Sequence, residues 1–361
     1  MPAIHAARRT TLRAKAAALG LDAFLVTDVL NIRYLTGFTG SNAALLVGTA
    51  SEEATVFCTD GRYVTQSSEQ VADLERVIDR PCDLALITRA AGGVIGFEGD
   101  AVSVNGHAEL LHAAGESVAL QAVSYLVEDL RAVKDAGEIE LLRQACAVAD
   151  TGLEDLLSAG ELRPGRTERE VSLDLDERMR RLGAEDVAFE TIVAAGANSA
   201  IPHHRPTVSV INTGDFVKID FGARFAGYHS DMTRTFVMGE PADWQREVYD
   251  VVSAAQEAGR LACMPGSACT EVDAVARQVI ENAGYGEFYL HGLGHGIGLE
   301  IHEAPTIGSV STGIIASDMV VTVEPGIYLP GRGGVRIEDS GVVRPGGYEL
   351  LTLTTKDLVV L

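Results

Sequence analysis

The sequence predicts a small α/β domain followed by a larger α+β domain. Up to about residue 130, short apolar runs of strand length alternate with helix-like runs. Beyond about 135, amphipathic helix patterns come in pairs, separated by runs that read as hairpins. At 361 residues the chain is also too long for one ordinary core. The expected domains are therefore 1–130 and 135–361.

The elements follow in order. Met1-Pro-Ala-Ile-His-Ala-Ala-Arg-Arg-Thr-Thr-Leu-Arg-Ala-Lys15 is basic but lacks a following apolar stretch and cleavage site, so it reads as a first amphipathic helix. Ala23–Thr27, Ala43–Val47, Thr55–Cys58 and Val94–Phe97 read as short buried strands. Asp60-Gly-Arg-Tyr63 turns into a polar helical stretch, and His107–Ala114 is a further helix. From Glu138 to about Leu157 a long helix places Ile139, Leu142, Cys146 and Ala149 on one face, and Gly160 with Pro164-Gly165 stops it. A second helix begins near Thr167, with Glu170 placed to complete a capping box. Ala242–Ala262 and Thr270–Ala283 form another helix pair, so two helix-helix-hairpin halves are faintly visible.

Composition removes several function classes. The net charge of −22 argues against nucleic acid and anionic membranes as partners. No apolar run reaches the length of about 18 residues that a membrane span needs. The cysteines Cys58, Cys82, Cys146, Cys263 and Cys269 are odd in number and contain no C-x-x-C, which disfavours a disulfide framework or a thiolate zinc site. Reduced thiols and a cytoplasmic location are the expectation.

The chemistry concentrates in four segments. In Asp215-Phe-Val-Lys-Ile-Asp-Phe-Gly-Ala-Arg-Phe-Ala-Gly-Tyr-His-Ser-Asp-Met-Thr-Arg-Thr-Phe236, apolar and polar residues alternate on both sides of Arg224–Gly227, as in a β-hairpin. A turn centred between Phe225 and Ala226 makes Asp220 and Asp231 cross-strand partners, with Cβ atoms about 4.5–5.5 Å apart. Two carboxylates that close in an apolar run need a positive charge between them, most simply a metal ion. The other segments are His291-Gly-Leu-Gly-His-Gly-Ile-Gly-Leu-Glu-Ile-His-Glu303, Met319-Val-Val-Thr-Val-Glu-Pro-Gly-Ile-Tyr328 and Gly334-Val-Arg-Ile-Glu-Asp-Ser340. Glu324 ends a strand just before Pro325, while Arg336 and Glu338 share one face opposite Val335 and Ile337. Singly these features are unspecific: a strand-end Glu is usually solvated, an isolated His usually packed, and the glycines of 292–298 do not make a dinucleotide fingerprint.

Taken in order, these motifs resemble the pita-bread metallopeptidases, the family of methionine aminopeptidase, aminopeptidase P, prolidase and creatinase. The resemblance is strong over roughly 135–361. The first domain resembles, more weakly, the creatinase-type domain that precedes the catalytic domain in aminopeptidase P and prolidase, for instance at Asn31-Ile-Arg-Tyr-Leu-Thr-Gly-Phe38. The resemblance implies an α+β pita-bread fold with Asp220, Asp231, His295, Glu324 and Glu338 as metal ligands. Asp220 and Asp231 would chelate one ion, His295 would bind the other, and Glu338 would bridge. Glu324 would shuttle a proton while a water shared by the ions attacks the scissile carbonyl. His203 and His302 would stabilise the intermediate or the leaving nitrogen, although the adjacent His204 leaves the first choice open. His291 would line the substrate site and Arg336 would orient Glu338.

Four carboxylates call for two divalent ions, and an oxygen-rich set with one imidazole suits manganese or cobalt, with zinc as a further option. The implied substrates are small peptides with proline in second position, and the implied assembly is a homodimer. A bond before proline has no N–H, which a metal site gripping the free amino end does not need. Between the His-Glu and Glu-Pro-Gly motifs, where prolidases tend to carry an Arg, residues 304–317 contain no Lys or Arg. That favours aminopeptidase P over a dipeptidase, with Arg205 as an alternative clamp and prolidase as the alternative reading. A non-hydrolytic, creatinase-like or binding relative is the more distant one.

Overall fold

In the computed structural model, which describes residues 2–361, the chain divides after Arg131 into two units. The first contains α1 (Pro2–Ala18), β1 (Ala23–Val26), α2 (Val29–Thr36), β2 (Ala43–Gly48), β3 (Val56–Thr59), α3 (Val64–Gln70), β4 (Glu75–Ile78), α4 (Cys82–Ile87), β5 (Gly93–Glu98), α5 (Val104–Ala114), β6 (Val118–Val123) and α6 (Glu128–Arg131). Of the expected first helix, Met1 lies outside the described residues. The strands form one sheet in the order β4-β3-β2-β1-β5-β6, parallel at β3/β4, β1/β5 and β5/β6 and antiparallel elsewhere. Every residue of β2 is buried, which is why its run is continuously apolar rather than alternating. The edge strands β4 and β6 are largely exposed. β4 (Glu-Arg-Val-Ile) mixes charged and apolar residues and β6 (Val-Ala-Leu-Gln-Ala-Val) buries little of its apolar content, and neither is among the strands read from the sequence.

The second unit begins with α7 (Ala136–Ser158) and α8 (Glu168–Arg181). Both open on capping boxes, Asp135 with Glu138 and Thr167 with Glu170, each satisfying two orphan N–H groups. Ile139, Leu142, Cys146 and Ala149 are all buried on the inner face of α7. The following strands are β7 (Asp186–Val187), β8 (Ile192–Ala195), β9 (Phe216–Phe221), β10 (Ala223–Phe225), β11 (Tyr228–His229) and β12 (Met232–Val237). Then come α9 (Asp243–Ala262), α10 (Cys269–Asn282), β13 (Gly294–Gly296), β14 (Glu303–Ile307), β15 (Val320–Val323), β16 (Gly326–Leu329), β17 (Gly333–Arg336), β18 (Asp339–Arg344) and β19 (Gly347–Leu350).

Two cores organise this unit. Leu153, Leu175 and Met179 of the first helix pair pack with Ile219, Phe221 and Met232 of the sheet β12-β9-β8. Val252, Ala276 and Ile280 of the second pair pack with Val321 and Val323 of the sheet β14-β13-β15-β18-β19 and with Ile327 and Val335 of the β16/β17 pair. The helix-helix-hairpin halves thus recur as two helix pairs, each on its own strands. No helix among the described residues is long and apolar enough to cross a membrane, and the five cysteines are free thiols.

The expected hairpin register is corrected. Phe225 pairs with Tyr228, so the turn is centred between Ala226 and Gly227, one residue later than expected. Those two residues have φ of 47° and 81°, the left-handed pair that matches the twist of a two-residue hairpin loop. Asp220 consequently faces Thr233 rather than Asp231. The aspartates share a face as diagonal neighbours, about 7–8 Å apart at Cα.

Buried charge ties β12 to β18. Arg234, 2% exposed, donates to Asp339 Oδ1 at 2.8 Å and to the carbonyls of Thr354, Thr355 and Glu338. Lys356 lies 2.6 Å from Asp339 Oδ2. Burial pushes the Asp339 carboxyl up, but Arg234 and Lys356 outweigh it and hold it below its usual 3.8. Its stabilising contribution is therefore present above that value and lost as pH falls below it. Asp339→Ala leaves Arg234 buried and uncompensated, and is expected to lower unfolding free energy by about 3–5 kcal/mol, read from the urea midpoint at neutral pH.

Candidate metal centre

Strand ends deliver the acidic groups to one place. Asp220 is the fifth residue of β9 and Asp231 directly precedes β12. Glu324 follows β15, and Glu338 sits between β17 and β18. His295 is the middle residue of β13. A Cβ on Gly294 would fall 2.1 Å from the Thr322 carbonyl oxygen, so only glycine lets this strand approach β15 closely enough to present the imidazole. All five line one pocket of about 290 Å³, together with His203, His204 and His302.

The polar atoms there are mismatched as they stand. His295 Nδ1 lies 3.1 Å from the Gly296 carbonyl oxygen, which only accepts, so the ring proton sits on Nδ1. Nε2 is then a bare acceptor, 3.5 Å from Asp231 Oδ2 and 3.4 Å from Glu324 Oε1. Burial keeps the pKa of His295 down at about 4, so no ring proton relieves the contact near neutral pH. Asp220 Oδ1 and Glu338 Oε1 are buried with no hydrogen-bond partner among the described residues. Burial, then the neighbouring carboxylates, pushes Asp231 and Glu338 well above the usual range, and burial lifts Glu324 to about 7. Lone pairs facing lone pairs in a buried site are what a cation resolves. Asp231, His295 and Glu338 offer ligand atoms within 4.8 Å of one another and could hold one.

Asp220 is set apart from that trio. Its Oδ2 accepts from Arg336 Nη2. Arg336, expected to orient Glu338, binds Asp220 directly and reaches Glu338 through Thr233. The Thr233 hydroxyl accepts from Arg336 Nε at 3.0 Å and donates to Glu338 Oε2 at 2.7 Å. The reason is the corrected register, which puts Thr233 opposite Asp220 and next to the guanidinium. Burial opposes the charge on Arg336, but Tyr328, Asp220, Glu324 and Glu338 outweigh it and hold the group charged.

The histidines divide by their partners. His204 Nε2 lies 2.8 Å from Glu168, a fully buried carboxylate that also accepts from Ala195 N, Asn198 Nδ2 and the Thr207 N–H and hydroxyl. His204 is thus spent on fixing the 195–207 loop. His203 lines both this pocket and a neighbouring cavity, and burial holds it below its usual pKa. Buried Lys218 holds the same loop by donating to the Ile201 and Pro202 carbonyls at 2.7 and 3.1 Å. The ring of His302 stacks edge-on to His295, with centroids 4.4 Å apart, on a turn fixed by Glu303 pairing with buried Lys134 at 3.0 Å. His291 Nδ1 donates to the Gly292 carbonyl, so its Nε2 accepts from Tyr328 Oη at 2.8 Å, which in turn accepts from Arg336 Nη1. Arg205 is exposed and paired with Glu190 at 2.8 Å. Sequence reasoning missed Glu168, Lys218, Thr233 and Lys134, since nothing local marks a polar residue as a partner of another segment.

Comparison with known proteins agrees with this centre. Residues 140–345 match the metallopeptidase family M24 and residues 8–133 the creatinase/prolidase N-terminal domain. The solved Xaa-Pro dipeptidase from Bacillus anthracis is 39% identical, covers 99% of this chain and 100% of its own, and superposes with a TM-score of 0.93. The Xaa-Pro dipeptidase of Pyrococcus horikoshii is 34% identical over 94% of this chain and 95% of its own length. The X-Pro aminopeptidase from Thermotoga maritima MSB8 is 36% identical, with a TM-score of 0.87 over 96% of this chain and 100% of that one. The chain therefore belongs to metallopeptidase family M24, in its pita-bread branch with a creatinase-type N-terminal domain. A divalent metal is what that family implies, and the orphaned acceptors fit it.

Glu338→Gln keeps the shape of the site but removes a charged donor. Its affinity for Mn2+ is expected to fall by on the order of 100-fold or more in isothermal titration, while His302→Ala binds Mn2+ as the parent does.

Proposed function

We propose that the protein is an Xaa-Pro dipeptidase that holds two divalent ions, manganese in the first instance, between Asp220, Asp231, His295, Glu324 and Glu338. The observation that carries this is the set of buried, unshared acceptors at the centre, in a chain matched along its length by relatives named Xaa-Pro dipeptidase. Asp220, Asp231, Glu324 and Glu338 outnumber the one arginine among them, which leaves room for more than one divalent charge. A soluble cytoplasmic homodimer completes the proposal.

Bound divalent ions lower the pKa of a water toward neutrality and polarise the scissile carbonyl. The side chains supply the rest. Glu324, which lines the pocket, accepts a proton from the attacking water and passes it on. His203 and His302 face the same pocket and hold the carbonyl oxygen and the leaving proline nitrogen, which must gain a proton as the C–N bond breaks. Arg336 holds Asp220 in place, and Thr233 fixes Glu338. His291 and Arg336 line the neighbouring cavity and, braced from behind by Tyr328, form the wall against which the proline ring packs.

Aminopeptidase P is the second reading. It is favoured by the absence of Lys and Arg from 304–317 and by the likeness to the Thermotoga maritima X-Pro aminopeptidase. Manganese-loaded protein is expected to hydrolyse Xaa-Pro dipeptides with higher kcat/KM than Xaa-Pro-Yaa tripeptides, as measured by release of the N-terminal amino acid Xaa, the product common to both. The reverse order would establish aminopeptidase P. His302→Ala is expected to lose at least about 100-fold in kcat with the metal retained. Glu168→Gln loosens the loop carrying His203 and is expected to lower kcat about tenfold without changing metal content.

A further inference from the structure

The centre opens into a second cavity of about 890 Å³, which shares His203, His295, His302 and Glu324 with the first pocket. Beyond them it is lined by Arg277 of α10 and by Tyr289, both outside the four segments in which the sequence concentrates its chemistry. Resting on the dipeptidase reading, the question is what meets the substrate's own carboxylate. In an Xaa-Pro dipeptide that group is one residue from the scissile carbonyl, and a buried carboxylate calls for a charged donor. The 304–317 segment has none.

Two arginines line this cavity among the described residues. Arg336 is fully engaged by Asp220, Thr233, Tyr328 and the Pro202 carbonyl. Arg277 is not. Its Nε and Nη2 grip Asp273 at 2.8 and 2.9 Å, and Nη2 also donates to the His291 carbonyl at 2.8 Å. Nη1 has only a long 3.4 Å contact with the Tyr289 carbonyl. The guanidinium lies 4.2 Å over the Tyr289 ring, and the Tyr289 hydroxyl is buried with no partner among the described residues. The cation is thus anchored by Asp273 and the His291 carbonyl over the Tyr289 ring, and Nη1 remains a donor in reserve.

We propose that Arg277, through Nη1, and the Tyr289 hydroxyl bind the C-terminal carboxylate of the dipeptide, making this wall the determinant of dipeptide over longer substrates. The clamp comes from a helix rather than from the segment between the two motifs. Asp273 orients the guanidinium, and the bond to the His291 carbonyl couples it to the wall that receives proline.

The test uses manganese-loaded full-length protein with Ala-Pro and Ala-Pro-amide, which differ only in the terminal charge. Arg277→Lys keeps the charge opposite Asp273 but loses the fork. It is expected to raise KM for Ala-Pro roughly tenfold, with kcat nearly unchanged and Ala-Pro-amide hydrolysis unaltered. Tyr289→Phe removes one unpartnered oxygen, so thermal stability does not fall, and KM for Ala-Pro rises several-fold with the same indifference of the amide. Should Arg277→Lys fail to fold, Tyr289→Phe carries the test. A parent enzyme that prefers Ala-Pro, with variants that keep that preference or lose both substrates equally, overturns the clamp and leaves the dipeptidase reading intact. A parent enzyme that ignores Ala-Pro but cleaves Ala-Pro-Yaa overturns the dipeptidase reading, and the clamp with it.

Discussion

Acceptors facing acceptors in a buried pocket are the constraint on which the catalytic unit depends. Asp231, Glu324 and Glu338 resist ionising together there without a cation, because burial and the neighbouring carboxylates act in the same direction. The one permanent cation among them, Arg336, is fixed to Asp220 and Thr233 and cannot serve the rest. His295 makes the mismatch worse, since its proton points away to the Gly296 carbonyl. Such a core must take up either protons or a cation, and near neutral pH a divalent ion satisfies more of its acceptors than protons do.

Such a site must be prevented from relaxing. Carboxylates on flexible loops would swing out to water and lose the arrangement. Here they sit at the ends of strands whose cores are closed by two helix pairs. The pieces that are loops are tied down by buried charges: Glu168 and Lys218 for the segment bearing His203, and Lys134 with Glu303 for the turn bearing His302. None of these four groups touches the pocket's chemistry. Their role is to hold side chains that would otherwise find a lower-energy place elsewhere.

Much of this could be read from the chain alone, and the boundary has physical causes. Periodicity located the long helices α7, α9 and α10 because burying one face demands a repeating apolar stripe, and the capping box at Thr167 announced a helix start, whereas the short α2, α4 and α6 were not read. The same signal was silent at β4 and β6, which bury little. The hairpin showed that Asp220 and Asp231 share a face, but its register was misread by two residues, because alternation alone does not locate the turn. Only the left-handed pair Ala226 and Gly227 does. The shift is small along the chain but large for the chemistry, since it hands Asp220 to Arg336 and puts Thr233 between Arg336 and Glu338. The partners missed altogether act over long sequence separations, as Lys134 with Glu303 does, and leave no local pattern.

The absence of a cation from 304–317 illustrates the limit of reasoning by segment. A substrate carboxylate requires a charge at a position in space, not at a position in the sequence. An unrestrained arginine near four carboxylates would be drawn onto them and spent, as Arg336 is. Arg277 avoids that fate because Asp273, itself 1% exposed, and the His291 carbonyl hold it on its own helix and neutralise most of its pull. What remains is a directional donor, weak toward distant charges and strong only at contact. That combination suits a group that must recognise one end of a small substrate without disturbing the charge balance of the metal centre beside it.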